Sequence, residues 1–348
     1  MGVNFGSDNV SGIAPQILDA IARANVGTEP AYGMDAISAR VEQKMSELFE
    51  RPCRVFMAGT GTAANALAVS ALLPPWGAVL CHHNAHIHSS ECNAPMFFSG
   101  GAGVTLLPGE HNRIDPAALT AELARQRHPA DHAKASALSL TQATEAGTLY
   151  TPDQVATLCH AAKGAGLKVH MDGARFANAV AALSCAPADL TWRAGVDVLT
   201  FGATKNGALA AEAVVAFDPG LAEALHYRRK RAGHLFSKMR FVAAQMEAYL
   251  TDGLWLNLAA NSNARAKQMA TGLARLPGVR LEHPVEINEV FVHLTEPMIR
   301  ALHGAGFTFP RRGGAASTFA RLVCAFNTRP EDVDELLTVA AGVTAKVG

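Results

Sequence analysis

The chain has 348 residues, 49% hydrophobic and 17% charged, and its thirty basic residues balance thirty acidic ones. That composition allows a sizeable core and excludes an intrinsically disordered chain. The zero formal charge excludes a nucleic-acid or membrane-surface binder that works through net charge, leaving only local basic clusters open.

In chain order, the N-terminal MGVNFGSDNVSG has no basic stretch leading into an apolar run, so no secretory signal is expected. SARVEQKMSELF sets Val41, Met45, Leu48 and Phe49 on one helical face. Strand CRVFMA then leads through GTGTAAN into the helical ALAVSALL, and strand GAVLCH follows. IDPAALTAELARQ opens with the helix-start pair Asp115 and Pro116, and ASALSLTQ reads as the next strand. In TPDQVATLCHAAKGAG, Thr151 caps, Pro152 suits the first helical position and Gln154 completes a capping box, with Gly164 or Gly166 ending the helix. Strands LKVHMD, VDVLTFGA and EAVVAFD come next, then a long helical stretch from about Leu221 to Leu250.

The pattern changes there. Helix NARAKQMATGLARL, strands VRLEH and EVFVHL, a helix near MIRALHGAG, strand RLVCAF and helix PEDVDELLTVAAG describe a small α+β domain. The expected division is a large α/β domain with a mainly parallel sheet over 1–252, including the N-terminal segment, and a small C-terminal domain over 253–348. Six scattered cysteines (Cys53, Cys81, Cys92, Cys159, Cys185 and Cys324) form no CxxC pair and no metal-ligand spacing. No apolar run is long enough for a bilayer. A soluble cytoplasmic protein with reduced thiols is expected.

Ligands of open α/β sheets bind at the carboxyl ends of strands, and four groups are expected there. GTGTAAN opens a helix with small residues whose N–H groups and dipole suit a phosphate; a glycine-rich turn without ligand is the alternative. It also fits GxGxxA through Gly59, Gly61 and Ala64, but no carboxylate follows at the ribose position before Glu91, and no Gly-Lys-Ser/Thr follows either. Asp172 and Arg175 in HMDGAR close a strand, where an aspartate can face a cationic heteroaromatic nitrogen or simply cap a helix. Lys205 in TFGATKNG sits among small residues at another strand end, as a shielded nucleophile or as a surface lysine. HHNAHIHSSE holds His82, His83, His86 and His88; no metal is expected, since an HxxH or HxH pair still needs a third ligand and a suitable geometry, and a ring-stacking partner or general base is the better use. A phosphate cradle, an aspartate, a lysine and a histidine together fit pyridoxal 5′-phosphate (PLP), whose aldehyde forms a Schiff base with lysine.

The ordered set FGSDNVSG, AYG, GTAAN, AHIHSSECNAP, TQATEAG, HMDGARFANA, FGATKNG, SKMRF and RLVCAFNT resembles the bacterial low-specificity L-threonine aldolases and their phenylserine aldolase relatives, from about residue 4 to 330. The resemblance implies a PLP-dependent transferase-like fold of type I in the β-eliminating lyase superfamily. It implies retro-aldol cleavage of L-threonine, L-allo-threonine or phenylserine-like β-hydroxy-α-amino acids to glycine and an aldehyde. Carried onto this sequence, Lys205 holds the cofactor, Asp172 faces its ring nitrogen, Gly61 and Thr62 bind its phosphate, Arg175 and Thr204 also contact the cofactor, and His86 lies over the ring. Arg175 and Arg321 clamp the substrate carboxylate with Ser7 nearby. Arg240 reaches the phosphate of a neighbouring subunit in a homotetramer, and Tyr32 lies at the subunit boundary. Two departures stand out. A histidine that many family members place near the substrate corresponds to Gln142, which shifts the base to His86 or a water, and GATKNG replaces a serine-lysine-glycine pattern. Rival readings are a PLP-dependent β-eliminating lyase or aminotransferase on a small amino acid, and a non-catalytic PLP- or metal-binding protein.

Overall fold

The computed structural model describes residues 2–125 and 131–344. Ten strands are present among them: β1 (Arg54–Ala58), β2 (Gly77–His82), β3 (Gly103–Leu107), β4 (Lys134–Thr141), β5 (Lys168–Gly173), β6 (Val198–Gly202), β7 (Glu212–Ala216), β8 (Arg280–Leu281), β9 (Glu289–His293) and β10 (Phe319–Val323). The first seven form one sheet in the order β1-β7-β6-β5-β4-β2-β3, and β7 alone runs against the rest. A strand order that doubles back in this way needs crossover helices on both faces. The pleat serves both: along β6 and β7, Leu199, Phe201, Ala213 and Val215 enter one core while Val198, Val214 and Ala216 enter the other.

The first core gathers aromatic rings from distant stretches. Phe49 lies against Phe217 at 5.0 Å between centroids, and against Phe176 and Phe201. The expected face of helix Ala36–Leu48 is buried here through Val41 and Met45, with Leu48 half-buried. A capping box at Thr151 and Gln154 starts helix Pro152–Gly164, and Asp115 caps helix Pro116–Ala124. The last residue of the stretch IDPAALTAELARQ, Gln126, lies outside the described residues.

The smaller unit has a three-stranded antiparallel sheet, β10-β9-β8, covered by helices Glu296–Gly304 and Pro330–Thr344. Helix Leu254–Leu273, longer at its start than its sequence pattern marks, packs on helix Phe176–Leu183 of the large sheet and on Pro330–Thr344 of the small one. The N-terminal segment also joins the small unit: Phe5 donates its N–H to Thr308 O, accepts from Val323 N–H, and is buried in that core.

Two local expectations are corrected. β3, read from GVTLL, was not anticipated as a strand. The stretch 221–250 is two helices, Ala222–Arg231 and Arg240–Leu250, not one. Gly233 sits at φ +78°, a left-handed conformation that ends the first helix, and the intervening segment carries Phe236 against Gly59, where a Cβ would lie 2.9 Å from its ring. Among the described residues no helix is long and apolar enough to cross a membrane, and all six cysteines are free.

Phe49→Ala removes the ring that joins three others in a fully buried site, so it should destabilise the protein by about 3–5 kcal/mol, read as a lowered denaturant midpoint.

Candidate active site

β4, β5 and β6 end side by side, opposite the start of helix Gly61–Leu72. A cleft of about 550 Å³ opens there, and Gly61, Thr62, His86, Asp172, Thr204 and Lys205 all line it, together with Asn65 and Glu212.

The alternation of β5 turns Val169 and Met171 into one core and leaves His170 and Asp172 on the opposite face. Asp172 is 1% exposed; its Oδ2 accepts from Asn65 Nδ2 at 2.9 Å and its Oδ1 from Ala174 N–H at 3.0 Å. Both partners are neutral, and Asp172 forms no ion pair among the described residues. The neighbouring His170 cannot compensate it. Burial pushes that imidazole down to about 4, and its two nitrogens are held by Ser139 and Thr200 hydroxyls.

Lys205 follows β6 on the single turn Thr204–Asn206. The turn is pinned from below, where Asn206 Nδ2 donates to Tyr249 Oη and Trp255 O, each at 2.8 Å. It is pinned from the side by Thr204 Oγ1, which accepts from Ala211 N–H at 3.1 Å. Gly207, at φ +107°, lets the chain leave the turn. Lys205 is itself half-buried and has no ion-pair partner among the described residues.

Thr60 caps the facing helix by accepting from Ala63 N–H at 3.1 Å. The first N–H groups of a helix have no intrahelical partner, which leaves those of Gly61 and Thr62 for an anion. A Cβ placed on Gly61 would meet nothing within 4 Å, so there is room for a ligand group. An uncompensated buried carboxylate, a lysine free of ion pairs and an open helix N-terminus in one cleft fit PLP: a protonated ring nitrogen, an aldehyde and a phosphate are what these three groups would accept.

Of the four clustered histidines, only His86 lines the cleft. His82 is buried with Nε2 toward Gly109 O, while His83 and His88 are exposed. His86 Nδ1 donates to Glu91 Oε1 at 2.8 Å, and its main-chain N–H to Glu145 Oε1 at 2.7 Å. The Glu91 bond raises its pKa against the effect of burial; Asp172 adds to the rise and Lys205 opposes it. With Nδ1–H committed to Glu91, the neutral ring presents Nε2 as an acceptor.

Arg175 and Arg321 lie behind the rim. Arg175 is fully engaged: Nε and Nη2 donate to Asp8 Oδ2, and Nη1 lies 3.1 Å from Glu289 Oε2. Burial works against its charge, but Asp8 and Glu289 outweigh it and raise the pKa. Arg321 donates from Nη2 to Gly6 O at 2.9 Å, lies 3.7 Å from Glu289 Oε1, and keeps a buried Nε without a partner. Ser7 begins the adjoining turn by accepting from Asn9 N–H. Tyr32 and Arg240 stand away from this cleft. Tyr32 N–H donates to Ser237 O with its ring under Lys230, and Arg240 donates to Gly27 O.

The sequence reading missed four polar residues: Asn65, Glu91, Glu145 and Glu212. Asn65 did leave a signal, as an amide inside the apolar run of GTAANALAVSALL. Gln142 is fully buried and exchanges both amide bonds with the main chain of Tyr150, so Glu145 is the residue of TQATEAG that touches His86. Burial pushes Glu145 and Glu212 up to about 7.

A mixed seven-stranded sheet with a small second domain and this cleft at its strand ends is the architecture of fold-type-I PLP enzymes. The β-eliminating lyase family profile matches residues 4–297, and the chain belongs to that family. It is 46% identical over 335 residues to a low specificity L-threonine aldolase of Pseudomonas aeruginosa, covering 95% of each chain, and 44% identical to one of a Pseudomonas species with the same coverage. A Leishmania major threonine aldolase structure superposes with a TM-score of 0.90 at 28% identity, covering 98% of this chain and 99% of the other.

A carboxyl whose folded pKa lies above its unfolded value keeps a proton that the unfolded chain releases. Burial of Glu212 therefore costs stability increasingly as pH rises from 4.5 toward about 7. Glu212→Gln should gain up to about 3 kcal/mol relative to the native chain across that window. Guanidinium unfolding at pH 5 and pH 8 would refute this if the difference between the two proteins stayed flat.

Proposed function

We propose that this chain is a PLP-dependent aldolase that cleaves L-threonine, L-allo-threonine or related β-hydroxy-α-amino acids to glycine and an aldehyde. The observation that carries this reading is the convergence of Asp172, Lys205 and a carboxylate-held His86 on one cleft opposite an open helix N-terminus. When bound, PLP supplies an electron sink for the charge left on the substrate's α-carbon as the Cα–Cβ bond breaks.

The protein's own groups do the rest. Lys205 Nζ would hold the cofactor, and its small neighbours would leave room for the approach. Asp172 would keep a proton on the ring nitrogen, because a buried carboxylate with neutral partners gains most from a facing cation. Gly61 and Thr62 N–H groups would bind the phosphate, with Thr204 at the cofactor. Arg321, with an unused Nε, takes the substrate α-carboxylate beside Ser7, and this grip selects which bond at Cα breaks. Arg175 holds Asp8 and Glu289 around that point. His86 Nε2 takes the β-hydroxyl proton, so turnover needs the neutral ring, and its acid limb lies above the ordinary histidine range.

The proposal includes a cytoplasmic homotetramer with sites shared between subunits, and a division into 1–252 and 253–348. Tyr32 and Arg240 stand outside their own cleft, beside the strongly exposed Val26 and Met34, which supports burial by a second copy.

The direct test supplies L-threonine, L-allo-threonine and L-phenylserine to PLP-loaded protein and measures aldehyde and glycine. Equal amounts are expected, and a yellow protein that releases neither would overturn the reaction. Lys205→Ala should abolish turnover and the visible absorbance of the lysine-bound cofactor. Arg321→Ala should lower kcat/KM by about 1.5–3 kcal/mol, roughly 10- to 150-fold, with the fold intact. Arg175→Ala should instead lower the melting temperature, because it leaves Asp8 buried without its ion pair and Glu289 with only Arg321 at 3.7 Å.

A further inference from the structure

Asn65 touches both carboxylates at the heart of the cleft. It lies on helix Gly61–Leu72, is 2% exposed, and gives one amide hydrogen to Glu91 Oε1 at 2.7 Å and the other to Asp172 Oδ2 at 2.9 Å. Glu91 Oε1 is also the atom that accepts from His86 Nδ1. A continuous line of bonds therefore runs His86–Glu91–Asn65–Asp172.

The direction of the amide follows from charge. Reversed, Oδ1 would face two carboxylate oxygens; as placed, Oδ1 is buried without a partner, so the two donated bonds outweigh an unmet acceptor. Glu91 and Asp172 repel each other in a pocket of low polarity, and Asn65 puts the positive end of a dipole between them. Ligating atoms of His86, Glu91 and Asp172 lie within 4.8 Å of one another, but the amide hydrogens already bridge the two carboxylates.

We propose that Asn65 is a positioning residue that braces Glu91 against Asp172 and thereby sets the proton occupancy of His86. The ring is faced by Glu91 at Nδ1, by Glu145 at its main-chain N–H, and by Asp172 and Lys205 across the cleft. Only Glu91 is both bonded to the ring and held by Asn65. The bond lines stand on geometry alone; their link to the cofactor nitrogen through Asp172 rests on the function proposed above.

The test is the titration midpoint of His86, followed by histidine-ring NMR in protein freed of cofactor and again in PLP-loaded protein, with His86→Gln assigning the signal. Asn65→Leu keeps the volume and removes both donors. Glu91 then holds its proton to higher pH, sustains the imidazolium less, and the His86 midpoint should fall by about one pH unit. In a Glu91→Gln background the same substitution should move the midpoint far less, because the path through Glu91 is already cut and only the weaker one through Asp172 remains. In the loaded enzyme the acid limb of kcat/KM should fall with the NMR midpoint. An unmoved midpoint in Asn65→Leu, or an equal shift in both backgrounds, overturns the proposal. Should the leucine variant fail to fold, Asn65→Ser, with one donor in place of two, must shift the midpoint in the same direction. A protein that binds no PLP and yet shows the expected cofactor-free shifts would sink the aldolase reading and leave the brace standing. An active aldolase with an unmoved midpoint would do the reverse.

Discussion

A carboxyl group held out of water with no ion-pair partner among the described residues organises this protein. Asp172 is buried at the end of a central strand, and its hydrogen-bond partners are an amide and a main-chain N–H, neither of which neutralises it. Isolated buried charges are costly, and a fold keeps one only where its surroundings enforce it. Here the enforcement is geometric. The pleat of β5 allows Asp172 only one face, and helix Gly61–Leu72 closes that face with Asn65. His170, two residues earlier on the same face, is kept neutral by burial and so cannot discharge it. The charge is left for a cationic ligand group.

The same economy governs the cations. Lys205 stands on a turn braced by Asn206 and Thr204 but is itself free of ion pairs among the described residues, so its amine is available for chemistry. The two arginines behind the rim divide their labour in the opposite way. Arg175 spends its fork on Asp8 and Glu289, tying the N-terminal turn and β9 to the large sheet. Arg321 keeps a donor unfilled. Two residues that a family pattern treats alike therefore differ in their surroundings: Arg175 is held by two carboxylates, while Arg321 has a buried Nε without a partner.

Carboxylates crowd this region, and their management ties its chemistry to stability. Glu91, Glu145 and Glu212 each carry a buried oxygen without a partner, and burial raises the pKa of all three. Glu145 and Glu212, pushed up to about 7, change protonation near neutrality, where stability is then sensitive to pH. Irregular backbone serves the site as well. The break at Gly233 interrupts what would otherwise read as one helix, and it brings Phe236 against Gly59, which lines the cleft.

Strand–helix alternation, the capping box at Thr151, and the placing of Asp172 and Lys205 at strand ends could be read from the sequence, because each depends on neighbours a few residues away. The family likeness could be read too, from ordered motifs spread along nearly the whole chain. The sequence left open that Arg175 is tied to Asp8 and Glu289, and that Glu145 and not Gln142 reaches His86. It also left open that Asn65 joins two carboxylates, lying 26 residues from Glu91 and 107 from Asp172. Those pairings depend on how a helix lies across a sheet and how far a side chain reaches. Local periodicity carries no record of either, so only the tertiary structure could decide them.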